Sequence, residues 1–259
     1  MKPSDVLSTK IVEPAWIVEN FLPEDYMVIV AGEAGAGKSV LMYNLAYAVA
    51  SGQPFLGFKT VQHKVLYFDE ENSLPDFAMY NQWAWSGLGQ PDVAQLDQNL
   101  RLEHFALTKG WVEAMRTAIF AHQPGLVIVD TASAAFHMKD ENDNAEAARV
   151  INQLRAMKPM NTTFIILKHE RQRDEEQHRR TIRGAKVWLG SFDYVLYHAI
   201  APRAKRRANG LRLTVLEPGK VRGNLAQVPR LVLDPSFTET EPKGLMFKVS
   251  SGRETSETN

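Results

Sequence analysis

The stretch GEAGAGKS, Gly32 to Ser39, limits what this chain can fold into more than any other, because it fits G-x-x-x-x-G-K-[ST] between two segments of defined type. Ahead of it runs Met27-Val28-Ile29-Val30-Ala31, an apolar run of strand length. Behind it Val40 to Ala50 is apolar over the length of a helix and is stopped by Ser51-Gly52. Strand, glycine loop and helix in that order make backbone N–H groups converge on one anion. Wrapping a polyphosphate so closely demands small residues with access to positive φ, which Gly32, Gly35 and Gly37 supply, with Ala34 and Ala36 nearly as small. The expected cradle runs from Gly32 through Glu33, Ala34, Gly35, Ala36, Gly37, Lys38 and Ser39 to Val40. Within it Lys38 reaches the β and γ phosphates, Ser39 places its hydroxyl on Mg²⁺, and the helix turns its positive end toward the anion. ATP and Mg²⁺ are therefore the expected ligands.

Composition narrows the alternatives. A chain of 259 residues, 44% hydrophobic and 23% charged, suits one large α/β domain, here residues 27–249, with a brace or linker at 1–26 and a disordered polar tail at 250–259. Lys plus Arg and Asp plus Glu are 30 each, so any nucleic-acid contact must come from local clustering. The absence of cysteine excludes disulfides, cysteine-ligated zinc and cysteine nucleophiles, and the seven histidines show no H-E-x-x-H spacing. No apolar run approaches the roughly 20 residues of a membrane span, and MKPSDVLSTK lacks an apolar signal core. The expectation is a soluble cytoplasmic protein with no membrane partner.

Along the chain, strands alternate with helices as far as residue 169, which predicts βαβ units and a largely parallel sheet with helices on both faces. Lys64 to Phe68 reads as a second buried strand, and Ser73 with Asp76 as a capping box opening a helix to Gly87 that carries Phe77, Tyr80, Trp83 and Trp85 as core aromatics, with adenine stacking by one of them as the alternative. Gln90 to Asn99 reads as a loop, Leu100 to Phe105 as a short strand, and Gly110 to His122 as a helix. Gly125 to Asp130 and Thr162 to Leu167 are the remaining core strands, with a helix through Val150 and Leu154 between them. From Tyr194 strands follow one another, at 194–200, 211–216, 231–233 and 245–249, which suggests antiparallel hairpins on one edge of the sheet.

A phosphate loop alone does not hydrolyse ATP. One carboxylate must hold Mg²⁺ or its water shell, and another must orient the attacking water. Asp130, closing LVIVD, is the candidate for the first. For the second, Glu71 is preferred over Glu70 and Asp69, because one more residue beyond the strand end carries it over the phosphate site. His169 ends the next core strand, where a polar group can report loss of the γ phosphate, with Lys168 as its competitor. Beyond it Arg171, Arg173, Arg179, Arg180, Arg183 and Lys186 outnumber Asp174, Glu175 and Glu176, so this segment is the candidate grip on a phosphodiester backbone. The run Pro202 to Arg207 is a weaker one. Lys220 and Arg222 in KVRGN read as a hairpin tip able to project into a neighbouring subunit.

Together these residues resemble the RecA-like ATPase superfamily, and within it the hexameric replicative helicases of the RepA type from plasmids and phages. The resemblance spans about residues 16–225. It rests on GEAGAGKS, on VLYFDEEN with Glu71 at the catalytic glutamate, on LVIVDTASAAFHMKDENDN with Asp130, on IILKHE with His169, on TIRGAK with Arg183-Gly184, and on KVRGN with Lys220 and Arg222. It implies a RecA-like core, a ring of six, ATP sites between subunits and ATP-driven movement on single-stranded DNA, in a host-cell cytoplasm if the gene is carried by a phage or plasmid. The family commonly has a histidine pair at the sensor strand, whereas here Lys168 precedes His169.

Two other readings use the same core. A recombinase polymerising on DNA would carry an F-x-x-A segment ahead of residue 27, and none is clear there. A nucleotide-dependent switch binding a protein partner suits the neutral charge but not the arginine-rich segment beside the γ-phosphate position.

Overall fold

The computed structural model describes residues 2–8, 15–108, 110–170, 182, 184, 186–202, 204–222 and 229–250. A short helix α1 (Pro3–Leu7) precedes an antiparallel pair, β1 (Trp16–Val18) and β2 (Leu22–Pro23). Ile17, Phe21 and Leu22 of this segment are buried in the main core. The α/β body follows as β3 (Met27–Gly32), α2 (Lys38–Ser51), β4 (Val65–Asp69), α3 (Leu74–Gly87), α4 (Val93–Asn99), β5 (Leu100–His104), α5 (Trp111–His122), β6 (Leu126–Asp130), α6 (Ala132–Ala135), α7 (Asn144–Met157) and β7 (Thr163–His169). The last part comprises α8 (Val187–Ser191), β8 (Tyr194–Ile200), β9 (Thr214–Val221), β10 (Leu231–Phe237) and β11 (Leu245–Val249).

One sheet runs in the order β11-β10-β9-β8-β3-β7-β6-β4-β5. From β8 to β5 every pairing is parallel, and β9, β10 and β11 extend the β8 edge antiparallel. The parallel strands are apolar throughout because both of their faces are covered. Val28 and Val30, Val65 and Tyr67, Leu126 and Ile128, and Ile165 and Leu167 enter the core on one face. The alternate residues, among them Ile29, Phe68, Val129 and Ile166, enter a second core under α5, α6 and α7. The buried helix α2 explains the all-round apolar stretch after the phosphate loop. It packs between the sheet and α3, and Val40 to Ala50 are buried without exception.

Local signals match the elements they announce. Ser73 Oγ accepts from Asp76 N at 3.3 Å at the start of α3, with Pro75 in its first turn. Asp143, within the sequence DENDN, caps α7 by accepting from Ala145 N at 2.7 Å. Two expectations are corrected. Residues 93–99, read as loop, form α4, which Asp92 caps and which buries Leu96 alone, too little to show a period. Lys220 is not at a hairpin tip, since β9 continues through Pro218 and Gly219 to Val221 along β8, with a register shift at Val195/Leu196. Gly219 allows this, because a Cβ there would lie 2.2 Å from the Tyr197 ring. Among the described residues no helix is long and apolar enough to cross a membrane. The expected tail at 251–259 lies outside the described residues.

Candidate active site

The parallel strands end together at one edge of the sheet, and their register decides which side chains meet there. Gly32 is level with His169 and Asp69 with Asp130. The loop leaving β3 therefore opens between the ends of β7 and β8, where the connections part to opposite sides. Gly32 must lack a side chain, because a Cβ would stand 2.0 Å from the His198 carbonyl oxygen on β8. Gly35 and Gly37 take φ of 74° and 88°, and Gly37 opens α2. Lys38 is buried, and its ammonium donates to the carbonyls of Gly32 at 2.9 Å and Glu33 at 3.0 Å, which holds it across the mouth of the loop. Burial pushes its pKa down, while the charges of Asp130, Glu71, Glu170 and Glu33 oppose that shift.

Two fully buried aspartates sit side by side beneath this loop, each joined to a tyrosine hydroxyl. Tyr67 donates to Asp130 Oδ2 at 2.9 Å and Tyr43 donates to Asp69 Oδ2 at 2.6 Å, with the two rings stacked 4.3 Å apart. Their roles differ. Asp69 also accepts from the backbone N–H of Glu71 and Asn72 and from the Asn72 amide, so it builds the turn that follows β4. It is not free to act as a base. Asp130 Oδ1 is buried with no hydrogen-bond partner of ordinary geometry, although the Ser39 hydroxyl acts on the same carboxyl. Burial, then the neighbouring Asp69, pushes the Asp130 pKa from 3.8 up to about 7, against the opposing bonds from Ser39 and Tyr67. An unsatisfied carboxylate oxygen beside a hydroxyl offers two hard oxygens, the set that fits Mg²⁺ when phosphate and water complete its octahedron.

The turn built by Asp69 separates the two glutamates. Glu70 points away from the loop and accepts from Leu107 N at 3.0 Å. Glu71 lines the cavity with the phosphate loop, and its Oε1 lies 3.4 Å from His169 Nε2. The bond from His169, first, that from Thr131, and the charge of the nearby Lys38 hold the Glu71 carboxyl below the usual range despite partial burial. The geometry therefore places Glu71, His169, Lys38 and Ser39 around one space. Lys168 turns the other way, its ammonium 4.3 Å above the Trp188 ring of α8.

That space is a cavity of about 680 Å³ with two chemical ends. The polar end is the loop with Glu71, Asn72, Thr131 and His169. The other end is formed by Met79, Tyr80 and Trp83 of α3 facing Ile200, Pro235, Leu245 and Phe247 of the antiparallel extension. Trp83 and Tyr80, read from sequence as core aromatics, are thus cavity walls. The two halves interlock through glycines, since a Cβ at Gly244 would lie 2.0 Å from Gly87 N and one at Gly87 would lie 2.3 Å from the Leu245 carbonyl oxygen.

Lys220 and Arg222 stand elsewhere. Lys220 donates to the carbonyls of Leu189 at 2.6 Å, Gly190 at 3.2 Å and Phe192 at 2.7 Å, closing the end of α8. Arg222 also bonds the Gly190 carbonyl and lies 3.7 Å from Asp193. Val221 is level with Tyr194 and hence with Val28, so Arg222 sits about 16 Å below the phosphate loop along the strand direction. It cannot reach the loop of its own chain. Of the basic segment, Lys186 is exposed at the start of α8, while Arg171, Arg173, Arg179, Arg180 and Arg183 lie outside the described residues.

A family model described as an AAA domain matches residues 2–175. The chain belongs to the AAA domain family. No curated protein matches this AAA domain chain. Among solved structures it is similar to a KaiC-like protein from the hyperthermophilic archaeon Pyrococcus horikoshii, with a TM-score of 0.61, 13% identity, and coverage of 92% of this chain and 99% of that one. The fold is RecA-like, with a mostly parallel sheet flanked by helices and antiparallel strands at its end. This AAA domain is accordingly a P-loop ATPase of RecA-like architecture.

Proposed function

We propose that this chain is an ATP-driven motor on single-stranded DNA, working as a ring-shaped oligomer of the RepA helicase type. The observation that carries the reading is the 3.4 Å contact between Glu71 and His169. It joins the carboxylate placed to align water with the end of β7, whose chain runs on into the arginine-rich stretch 171–186. A change at the γ phosphate thereby acts on a basic segment of a chain that is neutral overall.

In this mechanism the loop from Gly32 to Val40 cradles the phosphates, Lys38 exchanges its carbonyl partners for phosphate oxygens, and Glu71 orients the attacking water. Ser39 and Asp130 hold Mg²⁺, which when bound neutralises charge on the β and γ phosphates. The apolar end of the cavity, with Tyr80, Trp83 and Phe247, takes the base. His169 then carries the change outward to Arg171, Arg173, Arg179, Arg180, Arg183 and Lys186. Arg222, with Lys220 as its anchor, serves the site of a neighbouring copy, because its own lies out of reach.

The test is the ATPase rate with and without single-stranded DNA, with Lys38→Ala as the blank and the same samples viewed by negative-stain microscopy. Stimulation with closed rings supports the reading. Stimulation with filaments as long as the DNA moves the assignment to a recombinase, and no DNA effect at low or high salt leaves a nucleotide-dependent switch.

A further inference from the structure

The connection from β8 to β9 rises at the same edge of the sheet as the phosphate loop and returns as an extended chain. Gly210, Leu211, Arg212 and Thr214 all line the nucleotide cavity. Thr214 is buried, and its Oγ1 lies 2.9 Å from His198 Nε2. That imidazole underlies the phosphate loop, since a Cβ at Gly37 would stand 3.8 Å from His198 Cε1. Arg212 is two residues in sequence from a hydroxyl that the His198 ring connects to the loop.

The other described arginines here are committed to protein oxygens. Arg206 donates to the Gly210 carbonyl at 3.2 Å, Arg207 to Asp234 at 2.7 Å and to the Pro235 carbonyl at 3.3 Å, and Arg230 to Glu217 at 3.1 Å. Arg212 is half-buried, and among the described residues it has no hydrogen bond or ion pair. The one carboxylate among the described residues of the cavity wall, Glu71, is engaged with His169. A partly desolvated guanidinium with no protein partner is open to an anion, and its planar fork matches phosphate in bidentate fashion.

We infer that Arg212 is a phosphate-contacting residue of the nucleotide site, supplied by the same chain that supplies Lys38. The inference rests on the reading of this cavity as the ATP site and adds a second cation to it in cis. Arg212 then gives selectivity by phosphate content, strengthening the hold on ATP and ADP and leaving the bare nucleoside unaffected.

The experiment is equilibrium binding of AMP-PNP, ADP and adenosine to the wild-type chain and to Arg212→Ala, Arg212→Met and Lys38→Ala. Arg212→Ala should weaken AMP-PNP and ADP ~10-fold or more and leave adenosine unchanged. Arg212→Met keeps the apolar stem and should lose as much. Wild-type affinity in Arg212→Met, or an equal loss for adenosine, overturns the inference, because either result makes Arg212 a packing element of the wall. If both Arg212 variants bind normally while Lys38→Ala does not, the inference fails and the ATP-site reading stands. If Lys38→Ala also binds AMP-PNP normally, it is the site reading that has failed.

Discussion

Removing the charge of Asp130 should make the metal-free protein more stable while removing its metal site. The carboxyl has no solvent exposure, and burial with Asp69 alongside moves its pKa from 3.8 to about 7. A raised carboxyl pKa means that the native state holds a proton which the unfolded chain releases. Its contribution to stability is complete below pH 3.8 and is lost as pH rises to about 7. Relative to acid pH, this one group therefore lowers stability by about 4 kcal/mol at pH 8, where it is ionised, and by about 1.6 kcal/mol at pH 5, where the native state still holds the proton. Asp130→Asn keeps the shape and an oxygen able to accept from Tyr67, so it removes the charge and little else. Allowing for relaxation around an ionised carboxylate, a gain of about 2–4 kcal/mol is expected at pH 8 in EDTA, or about 4–8 °C in Tm. The gain should shrink steadily toward pH 4. Calorimetry of both proteins across that range decides the matter, and a variant that melts at or below the wild type at pH 8, or with a gap independent of pH, refutes the reasoning. The Mg²⁺-dependent part of nucleotide binding should be lost in the same variant, as expected where an active site holds a charge the fold would otherwise reject.

Glu71→Gln should abolish ATP turnover and leave nucleotide affinity near the wild-type value in equilibrium binding; surviving turnover would transfer the role of aligning water to another group. Gly244→Ala forces a Cβ onto the backbone of Gly87 and should cost about 2–3 kcal/mol in urea denaturation and weaken nucleotide binding. A variant with wild-type stability and affinity would show that the hairpin does not close the cavity. Lys220→Met removes three hydrogen bonds to carbonyls, of which that of Gly190 keeps Arg222 as a donor, and should destabilise the domain by about 1–3 kcal/mol in the same assay. If it loses ATPase activity with no loss of stability, Lys220 acts in catalysis and not as the anchor of α8.

The parallel half of the molecule was legible because each of its strands is an unbroken apolar run and its site residues follow directly on strand ends. Asp130, Glu71 and His169 could be placed by counting from β6, β4 and β7. Short elements escaped where they carry too few apolar residues to show a period, as with Leu96 in α4 and Trp188 in α8. The Tyr43–Asp69 and Tyr67–Asp130 pairs escaped for another reason. A tyrosine in an apolar run reads as core, and whether its hydroxyl meets a carboxylate depends on the register between elements distant in sequence. Glu71 could be preferred to Glu70 only by position, whereas the structure separates them by the turn that Asp69 organises.

The cavity wall shows the same limit. Nothing local in Gly87 or Gly244 announces that the two backbones touch, yet that contact brings Leu245 and Phe247 against α3 and faces them toward the phosphate loop. The polar end of the cavity is built by the ends of parallel strands, which the core makes rigid. The apolar end is shared between α3 and the antiparallel extension, which meet through a helix end and a hairpin. A ligand spanning both ends therefore binds the extension to the body of the domain. Lys220 and Arg222 lie on β9 of that extension and just beyond it, at the edge remote from their own phosphate loop, so under the ring reading proposed above occupancy of one cavity would bear on the groups offered to the next copy. In that reading, coupling between neighbouring sites needs no element beyond the sheet itself.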